Sequence, residues 1–216
     1  MSKERTSLSV SVRRHFVDGF FFSHKKLFSP GKKIVDIGGK KDNKRGLFDI
    51  GIYGAEVKYV NIDRTTNPDI VSDAAQIPIP DSYCDIVIMG ELLEHVPEPK
   101  KALKEAHRLL KPGGIALITV PFMVGIHADP HDYGRYTEAF WKNASGDAGF
   151  KIMEIERQGT IFAVAGLMLQ HLFLAKGVSW RPVQFPLIKF LMWLDKKTVA
   201  PQLTAWTTGY GIILTK

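Results

Sequence analysis

The chain has 216 residues, 45% of them hydrophobic and 24% charged, with a formal net charge of +7 and a single cysteine, Cys84. That is the balance of one ordinary globular domain with some chain to spare, and it excludes wholesale disorder, collagen-like repeats, an internal disulfide framework and a zinc site built from cysteines. The charge is uneven, +6 over residues 1–33, −4 over 34–150 and +5 over 151–216, which speaks against a nucleic-acid surface over the whole body and suits local contact with a phosphate, a nucleotide sugar or a lipid headgroup.

The opening MSKERTSLSV shows no apolar signal segment. With the lone cysteine it sets the expectation of a reducing, cytoplasmic setting. Residues 7–29 mix Phe16, Phe20, Phe21, Phe22 and Phe28 with Arg13, Arg14, Lys25 and Lys26, and predict one or two helices ended by Ser29-Pro30-Gly31. Short apolar runs then predict strands at 32–39, 56–63, 68–73 and 84–90. Apolar residues at 102, 103, 106, 109 and 110 give an amphipathic helix over 99–110, stopped by Lys111-Pro112-Gly113-Gly114. A fifth strand follows at 114–122, a polar loop, a helix over about 137–148, and strands at 150–156 and 209–216. Short buried strands alternating with helices imply an α/β fold, a parallel sheet covered on both faces. The changed rhythm of the last two strands predicts an antiparallel edge. The expected division is an N-terminal helical segment over 1–31, a main domain from 32–160 with 201–216, and an apolar helical insertion over 161–200.

In open α/β sheets ligands sit at the carboxyl ends of the strands. Those ends read Asp36-Ile37-Gly38-Gly39, Asp63, Asp73-Ala74 and Met89-Gly90-Glu91. Glycines after the first strand let a ligand approach the backbone. An acid after the second can accept both ribose hydroxyls, and one after the third can accept an exocyclic amine, which together describe an adenosine pocket. Asp36 before the glycines, with Lys40 where a dinucleotide turn would carry a further glycine, disfavours a diphosphate and tolerates a cation. A sulfonium nucleoside fits. The plain alternatives are a tight turn at Gly38-Gly39, helix caps at Asp63 and Asp73, and a capping or solvent-facing acid at Glu91.

Here the segments "IVDIGG", "VNID" and "SDAAQIPIPDSYCDIVIMGELLEHVPEPKKALKEAHRLLKPGGIALITVPF" resemble the class I S-adenosylmethionine-dependent methyltransferases, in the ubiquinone-methylase-like group. The resemblance covers about residues 32–156, with 209–216 similar to the family's last strand. It implies a Rossmann-like seven-stranded methyltransferase sheet and S-adenosyl-L-methionine as cofactor. It further implies that Gly38 is the first motif glycine, with Gly39 beside it, and that Asp36 orders the turn near the methionine part. Asp63 would bind the ribose, Asp73 and the Ala74 backbone would face adenine, and Gly90 with Glu91 would face the methionine amino group. Lys40 departs from the glycine the family usually carries.

The loop after the fifth strand, "PFMVGIHADPHDYGRYT", is crowded with His127, Asp129, His131, Asp132, Tyr133, Arg135 and Tyr136, more titratable and aromatic groups than a connection needs. Its run resembles a subgroup of these methyltransferases found among polysaccharide and lipopolysaccharide biosynthesis enzymes, which implies a glycan or sugar-lipid acceptor. A hydroxyl acceptor must lose a proton, and histidine takes one near neutral pH. The expected general base is His131, with Asp132 as its orienter and His127 as the second choice. Tyr133 and Tyr136 would stack on a sugar and Arg135 would bind a phosphate. The bland readings are a turn residue at His131, a helix cap at Asp132, and structural clamps at Arg135 and Tyr136. No metal site is expected: Asp129-Pro130 disfavours the helix that would put His127 and His131 on one face.

The run 160–175 reaches roughly 24 Å as a helix, short of the ~30 Å hydrocarbon core, and Gln170 and His171 interrupt it. Apolar residues of 161–197 interleave with Lys176, Arg181, Lys189, Lys196 and Lys197, the pattern of helices lying in a membrane interface. A homodimer interface is the alternative. Pro182 and Pro186 predict at least two helices. The expected function is S-adenosylmethionine-dependent O-methylation of a glycan, sugar-lipid or related small acceptor. The rivals are a catalytically silent S-adenosylmethionine-binding scaffold and a nucleic-acid methyltransferase. The latter lacks the Asn/Asp-Pro-Pro-aromatic signature at the end of strand four, so nucleic acid is not the expected partner.

Overall fold

The structure is a computed structural model and describes residues 11–42, 44, 46–175 and 181–216. Residues 7–10 of the predicted N-terminal helix, and Lys176 of the basic rim, lie outside the described residues.

Seven strands form one sheet in the order β3-β2-β1-β4-β5-β7-β6. They are β1 (Lys33–Ile37), β2 (Glu56–Asn61), β3 (Ile70–Val71), β4 (Cys84–Gly90), β5 (Leu110–Pro121), β6 (Lys151–Gln158) and β7 (Gly209–Thr215). Strands β1 to β5 pair in parallel. Strand β7 runs antiparallel to both β5 and β6, so β6 points the same way as β5. The antiparallel edge predicted from the last two strands is therefore one reversed strand inserted between two parallel ones. The third strand is only two residues long, and the backbone N–H groups of Asp69 and Ser72 at either side of it donate to Tyr59 and Asn61 of β2.

Alternation along the strands supplies both faces. Val35 and Ile37 join the larger core with Trp141 and the buried stripe of α2 (Pro99–Leu109), Ala102, Leu103, Ala106 and Leu109. That stripe follows the helical period, and Pro99 sits in the first turn, where its missing N–H costs nothing. Ile34, Ile86, Ile88 and Ile213 point to the other face, where α1 (Val12–Ser23) lays Val17, Phe20 and Phe21 on them. Asp36 shares a side with Ile34, beneath α1. Two glycines of β7 permit the close approach: a Cβ at Gly211 would lie 2.5 Å from Phe20, and one at Gly209 2.5 Å from the Arg13 guanidinium.

Between β6 and β7 stand α4 (Ile161–Ala175), α5 (Arg181–Lys197) and the short α6 (Pro201–Thr204); α3 (Glu138–Asp147) precedes β6. The two helices expected from Pro182 and Pro186 are present as α4 and α5, with Pro182 the second residue of α5, but Pro186 lies inside α5 and does not break it. Gln170 ties two helices together, because its side-chain oxygen accepts the N–H of Val12 at 3.0 Å and closes the start of α1. Asp195, buried at the end of α5, accepts from Thr160 N–H, Thr160 O–H and Ala163 N–H at 2.6, 2.7 and 3.2 Å. It thereby caps α4. Val12, Ala163, Leu167 and Ile188 form the small core that joins α1 to these helices. No helix of the described residues is long and apolar enough to cross a membrane.

Candidate active site

The order β3-β2-β1-β4 puts the topological switch between β1 and β4, and a cleft opens there at the carboxyl ends of the strands. Its volume is about 1340 Å³, above the ~300–1,000 Å³ of ordinary small-molecule sites. It has room for a cofactor and a second molecule. Asp36, Gly38, Gly39, Asp63, Asp73, Ala74, Gly90 and Glu91 all line it, and so do His127, His131 and Tyr133. Asp132, Arg135 and Tyr136 lie outside its lining.

The turn after β1 is built around Asp36 and Asn61. Gly38 has φ +81° and donates to Val60 O at 2.7 Å. The Asn61 amide donates to the carbonyls of Gly38 and Gly39, both at 3.0 Å. A Cβ on Gly39 would fall 2.1 Å from the Asp36 carboxylate. The second glycine is thus required by the acid itself. Burial pushes Asp36 up to about 7, with Lys44 opposing. Lys40 lines the same cleft, and its charge helps hold Asp63 below the usual carboxylate range.

Asp63 is exposed and caps a 3-10 turn: Oδ1 accepts from Thr65 N–H at 2.9 Å and Thr65 O–H at 2.7 Å. These hydrogen bonds dominate its lowered pKa. Asp73 likewise accepts from Ala75 N–H at 2.7 Å. Both acids do the capping that was the plain alternative, while facing the cleft. A carboxylate has about four acceptor positions, so a cap leaves capacity for a ligand.

Glu91 departs furthest from expectation. It adopts φ +52°, and its carboxylate is held in a fork by Arg13, Nε to Oε2 at 2.9 Å and Nη2 to Oε1 at 2.6 Å. Arg13 also donates to Gln158 Oε1 at 2.5 Å and Val120 O at 2.9 Å. Burial would raise Glu91, but Arg13 prevails and its pKa is lowered. The Glu91 carboxylate, expected near the Gly90 carbonyl that would face a ligand's amino group, is therefore occupied by an arginine from α1.

The loop after β5 also differs. Asp132 does not orient His131. Its side chain is only 4% exposed and takes the Arg135 guanidinium in a bidentate pair at 2.5 and 2.7 Å, plus the His127 N–H at 2.9 Å. Arg135 holds Asp132 down at about 2. Arg135 further donates to the carbonyls of Gly134 and Gly125, so it clamps the loop rather than offering itself to a phosphate. Tyr136 is stacked on Phe140, with centroids 4.3 Å apart, and edge-on to Trp141. Its ring belongs to the core. His131 is exposed, its ring 5.6 Å from that of exposed Tyr133.

Four residues of this region had no assigned role: Asn61, Arg13, Glu94 and His95. The motif "LEHV" was the available signal for Glu94 and His95. Glu94 is 1% exposed, and neither carboxylate oxygen has a hydrogen-bond partner. Burial, with Glu91 nearby, pushes it up to about 8. His95 lines the cleft and its Nδ1 lies 2.6 Å from the carbonyl of His131. A carbonyl only accepts, so Nδ1 carries the proton.

A family model described as a methyltransferase domain matches residues 47–118. Among solved structures, a [4+2]-cyclase superposes with a TM-score of 0.62 at 14% identity, covering 98% of this chain and 84% of that one. A SAM-dependent methyltransferase from Archaeoglobus fulgidus gives 0.59 at 18% identity, covering 94% of each chain. The chain carries a class I methyltransferase fold. Curated relatives agree: a ubiquinone/menaquinone biosynthesis C-methyltransferase of Caulobacter vibrioides is 34% identical over 106 residues, covering 39% of this chain and 42% of that protein. Its counterpart in Neisseria gonorrhoeae is 30% identical over 124 residues, covering 50% and 51%. The chain thus matches about half, or less, of the length of these relatives. Together these matches show that the chain is similar to methyltransferases over part of its length. The donor set fits S-adenosylmethionine: carboxyl groups stand at the carboxyl ends of β1, β2 and β3, and burial holds the Asp36 carboxyl well above the usual carboxylate range despite Lys44.

Proposed function

We propose that the protein transfers a methyl group from S-adenosylmethionine to a hydroxyl of a glycan, sugar-lipid or related small acceptor. The observation that carries this reading is the meeting, in one cleft, of Asp36, Asp63 and Asp73 with His127, His131 and Tyr133. When bound, the cofactor supplies an electrophilic methyl on a sulfonium centre. Asp36 offers it a counter-charge, Asp63 and Asp73 accept from its hydroxyls and amine, and the Gly38-Gly39 turn, tied by Asn61, gives backbone access. His131 accepts the acceptor's proton and Tyr133 offers an aromatic face. Methyl transfer is otherwise a matter of alignment.

A lipid-linked acceptor agrees with the insertion. Met168 and Leu172 on α4 and Leu187, Phe190 and Trp193 on α5 are large apolar residues left in solvent, with Lys189, Lys196 and Lys197 beside them. An apolar face with a basic rim suits peripheral contact with an anionic membrane. A second copy of the chain is the other covering for that face. A second reading of the chemistry, methylation at carbon, rests on the C-methyltransferase names of the curated relatives.

Calorimetry with S-adenosylhomocysteine and with NAD tests the cofactor. Labelled S-adenosylmethionine offered with glycan, lipid-linked sugar and quinol acceptors tests the transfer. The expected result is S-adenosylhomocysteine binding without NAD binding, and label in a hydroxyl acceptor. NAD binding alone would end the methyltransferase reading, and label in the quinol carbon would favour the second.

A further inference from the structure

Glu94 is a buried carboxyl group without a hydrogen-bond partner beside the cleft, and His95 stands next to it. The buried Glu94 carboxylate has no hydrogen-bond donor on either oxygen. His95 Nε2 stands 3.6 Å from Glu94 Oε1, and His95 donates its Nδ1 proton to the His131 carbonyl. Nε2 of His95 and the unpartnered Glu94 carboxyl group thus face each other across 3.6 Å.

A third ligand atom comes from the loop after β5. The His127 ring packs edge-on to His95, centroids 5.2 Å apart. One ring nitrogen of His127, His95 and a carboxylate oxygen of Glu94 all lie within 4.8 Å of one another. For bond lengths of about 2.0–2.2 Å, ligand atoms of one ion sit roughly 3–3.5 Å apart. The Glu94–His95 spacing nearly meets this, and His127, whose side chain is 42% exposed, closes the rest by turning. A ligating histidine almost always gives its second ring N–H to a carbonyl or carboxylate. His95 does so, and His127 Nδ1 lies 3.1 Å from Gly125 O and 3.7 Å from Asp132 Oδ2. Two cations face the cluster and both are paired: Arg135, 3.4 Å from His127 Nδ1, with Asp132, and Arg13 with Glu91.

We propose that Glu94, His95 and His127 bind one divalent transition-metal ion of the zinc or manganese kind, with open positions toward the cleft. Two imidazoles and one carboxylate are the donor set of such ions. The expectation of no metal considered His127 only with His131; the partners that matter sit in the "LEHV" segment. A histidine that ligates a metal does not also take the acceptor's proton, so the role of base stays with His131. Any part for the ion in methyl transfer rests on the methyltransferase reading, whereas its binding does not.

The test uses tag-free full-length protein stripped with chelator and titrated with Zn²⁺, Mn²⁺ and Mg²⁺ alone, by calorimetry and thermal shift. Expected is one saturable site for Zn²⁺ or Mn²⁺ and a raised Tm. Affinity should fall at least tenfold in Glu94→Gln, His95→Ala and His127→Ala, while S-adenosylhomocysteine binding stays at the wild-type level. His127→Ala changes an exposed loop side chain and keeps the test meaningful should Glu94→Gln unfold. No saturable binding of any of the three ions, or binding unchanged in both His95→Ala and His127→Ala, overturns the proposal. Loss of S-adenosylhomocysteine binding by the wild-type protein would instead strike the cofactor reading and leave the metal result standing.

Discussion

Asp36 shows how one side chain can oppose its own fold and serve a ligand. Its folded-state value of about 7 lies above the ordinary 3.8. Between those values the folded protein holds a proton that the unfolded chain has released, so stability falls as pH rises from about 4 to 7 and is then level. Asp36→Asn should remove that fall and leave the ligand-free variant more stable than wild type at pH 8, by up to a few kcal/mol, as urea melts at pH 5 and 8 would read. The same substitution should weaken S-adenosylmethionine. In wild type that affinity should drop by up to about tenfold per pH unit below 7, because the cation needs the ionised acid. An affinity flat from pH 5.5 to 8 would refute the counter-charge role. His131→Ala should keep cofactor binding and slow transfer by roughly 10²–10⁴-fold; turnover within a fewfold of wild type would mean the proton leaves to water. At this scale the sequence was informative about the local backbone, as at the positive-φ turn of Gly38 and the close approach of Gly39 to Asp36. It was silent on partners far along the chain. Nothing near Glu91 announces that Arg13, 78 residues earlier, takes its carboxylate, and nothing in the local run says that Asp132 turns to Arg135.

Helix α1 is the element on which the cleft's shape depends. Arg13 is nearly buried and joins α1 to β4, β5 and β6 through Glu91, Val120 and Gln158. Removing one partner of a buried pair leaves an unpaired charge and costs about 3–5 kcal/mol. Arg13→Ala should lower stability by that amount. Arg13→Lys should recover only part, since an ammonium cannot reproduce the fork. Thermal melts of both variants check this, and a Tm within about 2 °C of wild type for Arg13→Ala would contradict it. The elements themselves were legible from period and punctuation, because apolar runs and helix stops are local. The orientation of β6 was not: whether a strand pairs parallel or antiparallel depends on which neighbour it finds, and β7, which separates β5 from β6, lies some fifty residues further on. Pro186 also reads as a break and is not one. Packing of α5 on α1 and α4 outweighs the lost hydrogen bond of one proline.

On the scale of the whole molecule, the charge map and the exposed apolar face bear on where the protein works. The ends of the chain carry the positive charge, and α5 sets Lys189, Lys196 and Lys197 among Phe190 and Trp193, with Lys197 Nζ 4.1 Å from the Trp193 ring centre. Each lysine near an anionic leaflet contributes about 1 kcal/mol, screened over a Debye length. The protein should float with vesicles rich in anionic lipid at low salt and be released at high salt. Phe190→Asp with Trp193→Asp should abolish flotation. A protein that stays in solution at low salt, and sediments as a dimer that these changes split, would assign the face to self-association. The helical character of the insertion was legible from its composition. Its attachment was not, since Gln170 reads as an interruption and Asp195 draws no reading at all, yet these two fasten α4 to α1 and α5 to Thr160.

The Arg13 cluster also fixes an order of events during translation. Gln158 lies 145 residues after Arg13, so at ~5–20 residues per second the ribosome delivers it roughly 7–30 s later. During that interval the Val17, Phe20 and Phe21 side of α1 meets β1, β4 and β5 in turn, while β7, with Ile213 and the glycines that seat Phe20 and Arg13, emerges last. The nascent chain must therefore carry an aromatic helix that is seated on one side but not closed over by β7 until its last residues are made.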